Sequence, residues 1–317
     1  MDHLTTLNFS LSHSRFWRQF RDVQAEGFHR ASHRVRLWSR ILSTAPVATE
    51  RVLDGAPVEV HLLTHRRDYL SAMWALKSFY HYAGVRYPLV IHVQGRATLR
   101  MIRRLRAHFP KCTLIPEAEA DAKAERWLME RRFSRLLTAR RASIMMMKLI
   151  DFILSCRAVH LLAIDSDVIF FRRPDELLAV TREPLEFDLF MHDAANSYNL
   201  SESQALNELG IKLSPRINCG LMLLACDERR LARCEEYLAH ADVARANGLI
   251  EQTLHALYSS EQRRVGYLPD TYYVSPGKTT LPLDQLVCRH YAGSSRPLLT
   301  DEGIPRLIEI GFLSDTP

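Results

Sequence analysis

Ala158-Val159-His160-Leu161-Leu162-Ala163-Ile164-Asp165-Ser166-Asp167-Val168-Ile169-Phe170-Phe171 is the stretch on which the fold turns. Residues 158–164 form a nearly unbroken apolar run of strand length, which reads as a strand buried on both faces. Such strands belong to parallel sheets covered by helices. Asp165 and Asp167 follow at the C-terminal end of that strand, the edge where open α/β sheets collect ligands. Residues i and i+2 on a strand point the same way, and the turn beyond the strand lets both carboxylates converge on one cation. Carboxylate oxygens suit hard ions such as Mg²⁺ and Mn²⁺. Without a cation, two like charges this close repel, and one tends to protonate. Burying them in an apolar run is costly unless something compensates. A pair of turn-capping aspartates is the plainer reading of the same residues. The apolar flanks and the strand end favour the cation.

Upstream of this run, Val58-Glu59-Val60-His61-Leu62-Leu63-Thr64 is a β-rich segment and predicts a first buried strand. Residues 69–83 carry helical spacing through Leu70, Met73, Trp74, Leu76, Phe79 and Tyr80. Leu89-Val90-Ile91-His92-Val93 predicts a second strand, residues 97–108 a second helix, and Thr113-Leu114-Ile115 a third strand. Residues 121–156 read as mainly helical. Downstream, Asp188-Leu189-Phe190-Met191 and Leu221-Met222-Leu223-Leu224 read as further strands. Alternating β and α segments imply a mostly parallel sheet with helices on both faces. No internal repeat or low-complexity segment is visible.

Residues 1–52 read as a helical N-terminal extension, and 53–317 as the main domain. Phe16, Phe20, Val23 and Phe28, then Val35, Leu37, Trp38, Ile41 and Leu42, recur at spacings that leave arginines on other faces. Two readings compete: the stripe packs on the main domain, or residues 15–42 lie on a membrane surface as a basic amphipathic helix.

The 317 residues are 47% hydrophobic and 25% charged, an ordinary globular composition. No apolar run approaches the roughly 20 residues of a membrane-spanning helix. Met1 to Ser10 lacks a basic region followed by an apolar stretch, so the expected location is cytoplasmic, with membrane contact at most peripheral. The six cysteines (Cys112, Cys156, Cys219, Cys226, Cys234 and Cys288) include no Cys-x-x-Cys pair. Their spacing predicts reduced thiols and carries no zinc signature. The net charge of +6 is uneven, because residues 96–141 hold thirteen Lys or Arg against five Asp or Glu. A basic, non-catalytic protein binding nucleic acid or anionic lipid is therefore one reading. No aromatic residues interleave the basic ones as a base-stacking surface requires, so no nucleic acid is expected.

An aspartate after an apolar strand also opens the nucleophile motif of haloacid-dehalogenase-like phosphatases. That reading needs the motif near the start of its domain and a later Asp-Asp pair. Here three strands precede the motif, and no such pair follows. Four other segments resemble, in order, the retaining glycosyltransferases of the GT-A fold, particularly the family-8 type. They are Thr64-His65 with Ala75-Leu76-Lys77-Ser78, Lys148 through Asp167, Asn218-Cys219-Gly220-Leu221-Met222-Leu223, and His290-Tyr291-Ala292-Gly293-Ser294-Ser295-Arg296-Pro297. The last is similar to that family's His-x-x-Gly-x-x-Lys-Pro motif, with arginine in place of lysine and Leu298 where tryptophan is usual.

The resemblance implies a GT-A domain and a metal-dependent enzyme moving a hexose from a UDP-sugar to a hydroxyl acceptor, with retention. The acceptor would be a glycan, lipid, small molecule or protein. The resemblance makes His290 the third ligand of Mn²⁺ (or Mg²⁺), beside Asp165 and Asp167. Thr64 and His65 would meet base and ribose, and the family often has aspartate where His65 stands. Lys148, Ser166, Gly293 and Arg296 would address the diphosphate, Gly293 through close backbone approach and Arg296 through its forked donors. Asp193 and Asn218 would position the sugar. Glu251-Gln252 matches the family's Asp-Gln pair beside the transferred sugar, with Gln252 stabilising positive charge on the ring. Acceptor surfaces are built from variable loops, for which residues 121–141 and 196–216 are the candidates.

Overall fold

The computed structural model describes residue 32 and residues 34–315, apart from 183–184 and 280. In chain order the elements are β1 (Val58–His65), α1 (Tyr69–Ala83), β2 (Leu89–Gln94), α2 (Leu99–His108), β3 (Thr113–Pro116), α3 (Glu117–Glu130), α4 (Ser134–Ala142) and α5 (Met146–Ser155). Then follow β4 (His160–Ile164), β5 (Val168–Phe170), α6 (Asp175–Val180), β6 (Asp188–His192), α7 (Glu202–Leu209), β7 (Ile217–Ala225), α8 (Arg229–Tyr237), α9 (Ile250–Glu261), β8 (Val265–Tyr267), β9 (Tyr272–Val274) and β10 (Cys288–His290).

Seven strands form the central sheet in the order β3-β2-β1-β4-β7-β6-β8. All run parallel except β7, which is antiparallel to both neighbours. β4 is buried along its whole length, as its sequence predicts. Its side chains alternate between two cores: Leu162 and Ile164 join one face with α1 and α2, while Leu161 and Ala163 join the other with α5 and α9. A second sheet, β5-β10-β9, packs beside the first. Ser78 of α1 ties the two layers, because its hydroxyl accepts the Phe170 N–H of β5 at 3.2 Å.

The mostly parallel α/β reading holds, with local corrections. The basic region 121–156 is three helices: Arg132 takes positive φ between α3 and α4, and an extended Ser143 ends α4. Residues 121–130 and 134–141 are therefore helix, with Leu128 and Leu136 buried, and only the turn at 131–133 between them is loop. Several of the basic side chains are matched internally. Arg140 is buried and donates to both Asp151 oxygens and to Asp121, and Arg141 pairs with Glu125. The three-residue strands β5, β8, β9 and β10 are too short to carry a periodic signal, and sequence periodicity did not mark them.

Part of the N-terminal stripe falls outside the described residues, including Phe16, Phe20, Val23 and Phe28. The described part packs on the domain. Ile41 is fully buried, and the Trp38 carbonyl accepts the Trp74 indole N–H at 3.1 Å. Lys77, buried on α1, donates to the Ala45 carbonyl. Val47 and Glu50 donate backbone N–H groups to His108 and Arg86. No helix among the described residues is long and apolar enough to cross a membrane. Replacing Ile41 by alanine should cost about 2–5 kcal/mol, the range for emptying a full core site. Equilibrium urea unfolding checks this; a loss below about 0.5 kcal/mol would mean the segment adds nothing to the core.

Candidate active site

The site forms where β4 ends. Asp165 N–H donates to the Gly220 carbonyl at 2.7 Å, so the first aspartate is anchored to β7 as it leaves the strand. Asp167 is buried and Asp165 is partly open. Pairing of β10 with β5 sets His290 opposite Val168, one residue beyond Asp167. Tyr291 N–H then bonds the Asp167 carbonyl at 2.9 Å. The result is that Nε2 of His290 lies 3.3 Å from Asp167 and 3.7 Å from Asp165. One donor atom from each of the three falls within 4.8 Å of the others. Two carboxylates and one imidazole suit Mn²⁺ well.

The tautomer of His290 follows from its neighbours. Asn218 Nδ2 donates to Asp193 at 2.9 Å, and Asn218 Oδ1 accepts the Gly220 N–H at 2.9 Å. That orientation leaves Oδ1 to accept from His290 Nδ1 at 2.8 Å, so Nε2 is the ring nitrogen that faces the aspartates: it carries a proton toward them while the site holds no metal, and it is the nitrogen a metal ion would take. Asp193 and Asn218 thus act together with His290. The backbone is shaped for this. Met222 pairs with Phe190 and Asn218 with the adjacent Met191, so residues 219–221 bulge out of the β6–β7 ladder. A Cβ on Gly220 would lie 2.2 Å from His290 Nδ1.

Three cations balance the carboxylates. Lys148 comes up from α5, is 3% exposed, and contacts Asp165 at 2.8 Å, Glu251 at 3.5 Å and the Cys219 carbonyl at 3.2 Å. Burial works against its charge, but Asp165 and Glu251 outweigh that and hold its pKa above the ordinary lysine value. Burial pushes Glu251 up to about 7 despite Lys148. Asp167 is held below the usual carboxylate value: burial opposes this, and His290, Arg296 and Lys148 overcome it. Arg296 bonds Asp167 at 2.9 Å and Asp68 at 2.6 Å, and Ser166 donates to the other Asp68 oxygen. Gln252 is fixed at both ends: Oε1 accepts the Cys219 N–H at 3.2 Å and Nε2 donates to the Ser197 carbonyl at 2.9 Å.

These residues line a cleft of about 540 Å³ that also includes Gly293, at φ +55°. A second cleft, of about 680 Å³, shares Met145 and Arg296 with it and contains Thr64, His65, Asp68, Gln94 and Trp38. Thr64 is buried, and its hydroxyl has no hydrogen-bond partner among the described residues. All thirteen residues singled out from the sequence therefore lie along these two clefts or bond directly to their walls. Asp68 was missed. The available signal was its place at the start of α1, just beyond the β1 end.

No protein-family model matches the chain, and no curated relative matches its sequence. Solved structures do. The galactosyltransferase LgtC, in complex with donor and acceptor sugar analogs, superposes with a TM-score of 0.50 at 16% identity, covering 82% of this chain and 97% of LgtC. The chain has the GT-A fold. Two further GT-A neighbours are the bifunctional glycosyltransferase WbbM, at TM-score 0.49 and 16% identity over 78% of this chain, and mouse xyloside xylosyltransferase 1, at 0.48 and 14% over 75% of this chain and 97% of that one. The chain spans about half the length of WbbM, 47% of it. Within this GT-A domain, Gly220→Ala should displace His290 and weaken Mn²⁺ binding by about 10–100-fold, the range for losing ligand support. Gly248→Ala, where an added Cβ meets nothing within 4 Å, should leave it unchanged. Calorimetric titration of both variants with Mn²⁺ checks this, and equal affinities would refute it.

Proposed function

We propose that this protein is a metal-dependent glycosyltransferase that moves a hexose from a UDP-sugar to a hydroxyl acceptor with retention of configuration. The observation that carries the reading is the convergence of Asp165, Asp167 and His290 within 4.8 Å at the ligand-binding edge of the sheet. When bound there, Mn²⁺ or Mg²⁺ supplies Lewis-acid stabilisation of the leaving diphosphate. Asp165, Asp167 and His290 would hold it.

Lys148 would act on the diphosphate as a fixed charge, with buried Glu251 3.5 Å behind it. Arg296 is 47% exposed and sits on a loop, so it can leave Asp167 and Asp68 to grip phosphate oxygens with its forked donors. Gly293 keeps the approach to that loop open. Asp193, held by Asn218, would bind the sugar hydroxyls. Gln252 cannot swing, and its amide oxygen retains a second lone pair for positive charge building on the ring. The nucleoside half would occupy the second cleft, with the unpartnered Thr64 hydroxyl and His65 as its polar contacts. Continuity of the two clefts through Met145 and Arg296 supports one elongated donor. The division into an extension (1–52) and a transferase unit (53–317) belongs to the same proposal, with residues 41–50 bonded onto that unit.

Hydrolysis of UDP-, GDP-, ADP- and TDP-sugars with Mn²⁺, by the parent protein and by His290→Ala, tests the reading. The expected result is cleavage of a UDP-sugar and a loss of at least about 10–100-fold on removing the imidazole. Cleavage of a GDP-sugar alone would overturn the base assignment. An unimpaired His290→Ala would overturn the third ligand. The cognate donor at 100 times its dissociation constant should add about 2.7 kcal/mol of stability, and Asp167→Asn should abolish the Mn²⁺-dependent part of that gain.

A further inference from the structure

At the opposite edge of the sheet from the clefts, a second set of metal-binding side chains converges. Glu59 and His61 project from the same face near the start of β1. Cys156 follows the last turn of α5, and Cys226 follows the end of β7. One donor atom each from Glu59, His61 and Cys156 falls within 4.8 Å of the others. Cys226 lies just outside that trio, its sulfur 3.6 Å from the Ile153 carbonyl and 3.9 Å from the Cys156 carbonyl, next to the Cys156 thiol. Glu59 pairs in register with Leu161, four residues before Asp165, so this cluster lies about 13 Å from the candidate active site at strand rise.

We propose that Glu59, His61, Cys156 and Cys226 form a structural Zn²⁺ site. Its donor set of two sulfurs, one imidazole and one carboxylate is the mixed, borderline-soft set that Zn²⁺ takes in tetrahedral geometry. Bonds of about 2.0–2.3 Å place such donors roughly 3.3–3.8 Å apart. Closing the present trio onto an ion therefore needs shifts of about 1 Å.

Three independent features fit a cation. First, Glu59 is fully buried; Oε1 meets His61 Nε2 at 2.6 Å, while Oε2 makes no hydrogen bond of ordinary geometry among the described residues and the Arg157 backbone N–H is the one further donor near the carboxylate. An unpaired buried carboxylate oxygen is costly. Second, the other nitrogen of His61 is already supported: Nδ1 lies 3.1 Å from His92 Nε2. A ligating histidine needs that outer-shell partner. Third, two thiolates, a carboxylate and Zn²⁺ sum to a single negative charge, and the Arg157 and Lys123 charges both act on Glu59. Both cysteines are half-buried, which leaves the ion a path from the surface.

The test uses the full-length protein, untagged, reduced and stripped of metal, titrated with Co²⁺ and then Zn²⁺. A thiolate-to-cobalt charge-transfer band reports sulfur ligation, which Asp165, Asp167 and His290 do not supply, and the two serine variants below separate Cys156 and Cys226 from Cys219 in the cleft. The expected result is one equivalent of Co²⁺ developing the band, displaced by one equivalent of Zn²⁺. Cys156→Ser and Cys226→Ser should lose it while circular dichroism shows the fold intact. Glu59→Gln should weaken Zn²⁺ by at least about 10–100-fold. Asp167→Asn should keep the band. The proposal falls if the reduced parent develops no band, or if the band survives in both serine variants. It also falls if unreduced protein is two hydrogens light, with Cys156 joined to Cys226, and its reduced form still takes up no cobalt.

Discussion

The repulsion between Asp165 and Asp167 is the constraint around which the site is built. Two carboxylates are held at the end of a fully buried strand, with Asp167 itself buried. Uncompensated, that arrangement would be strongly destabilising. Lys148, His290 and Arg296 each reach one or both aspartates, and they come from two distant parts of the chain, residue 148 and residues 290–296. Compensation is unevenly anchored. Lys148 is 3% exposed and bonded on three sides, whereas Arg296 is 47% exposed. A fixed charge and a movable one around the same acids suit a site that exchanges an anionic ligand.

Geometry here comes from regular structure, which positions groups more tightly than loops do. His290 ends a strand whose partner begins one residue after Asp167, so backbone pairing sets the imidazole against the carboxylate. The bulge at residues 219–221 makes room for the ring, and Asn218 on the same strand turns it. One irregularity in β7 therefore serves packing, tautomer and access together. The basic region is likewise settled by folding. Arg140 pairs with Asp151, Arg131 with Glu228 and Arg135 with Glu235, all acids from outside residues 96–141, so the local excess of positive charge is smaller in space than in sequence.

The sequence by itself determined the layered α/β architecture. Long amphipathic helices and fully apolar strands bury their surfaces in only one way, and that pattern is local. It also determined that Asp165 and Asp167 sit at a ligand edge, because an apolar strand of known length must end there. Tertiary structure alone decided the rest. Strands of three residues have no readable period, so the small sheet that delivers His290 is invisible before folding. Asp68 was not legible as a partner of Arg296, since the two are 228 residues apart and meet only through the packing of the α1 start against the β10 loop. Cys156 and Cys226, seventy residues apart, lack any spacing signature for the same reason. Local sequence fixes what one element buries; which side chains from separate elements share a charge, a ring or an ion is decided by long-range strand pairing and helix packing.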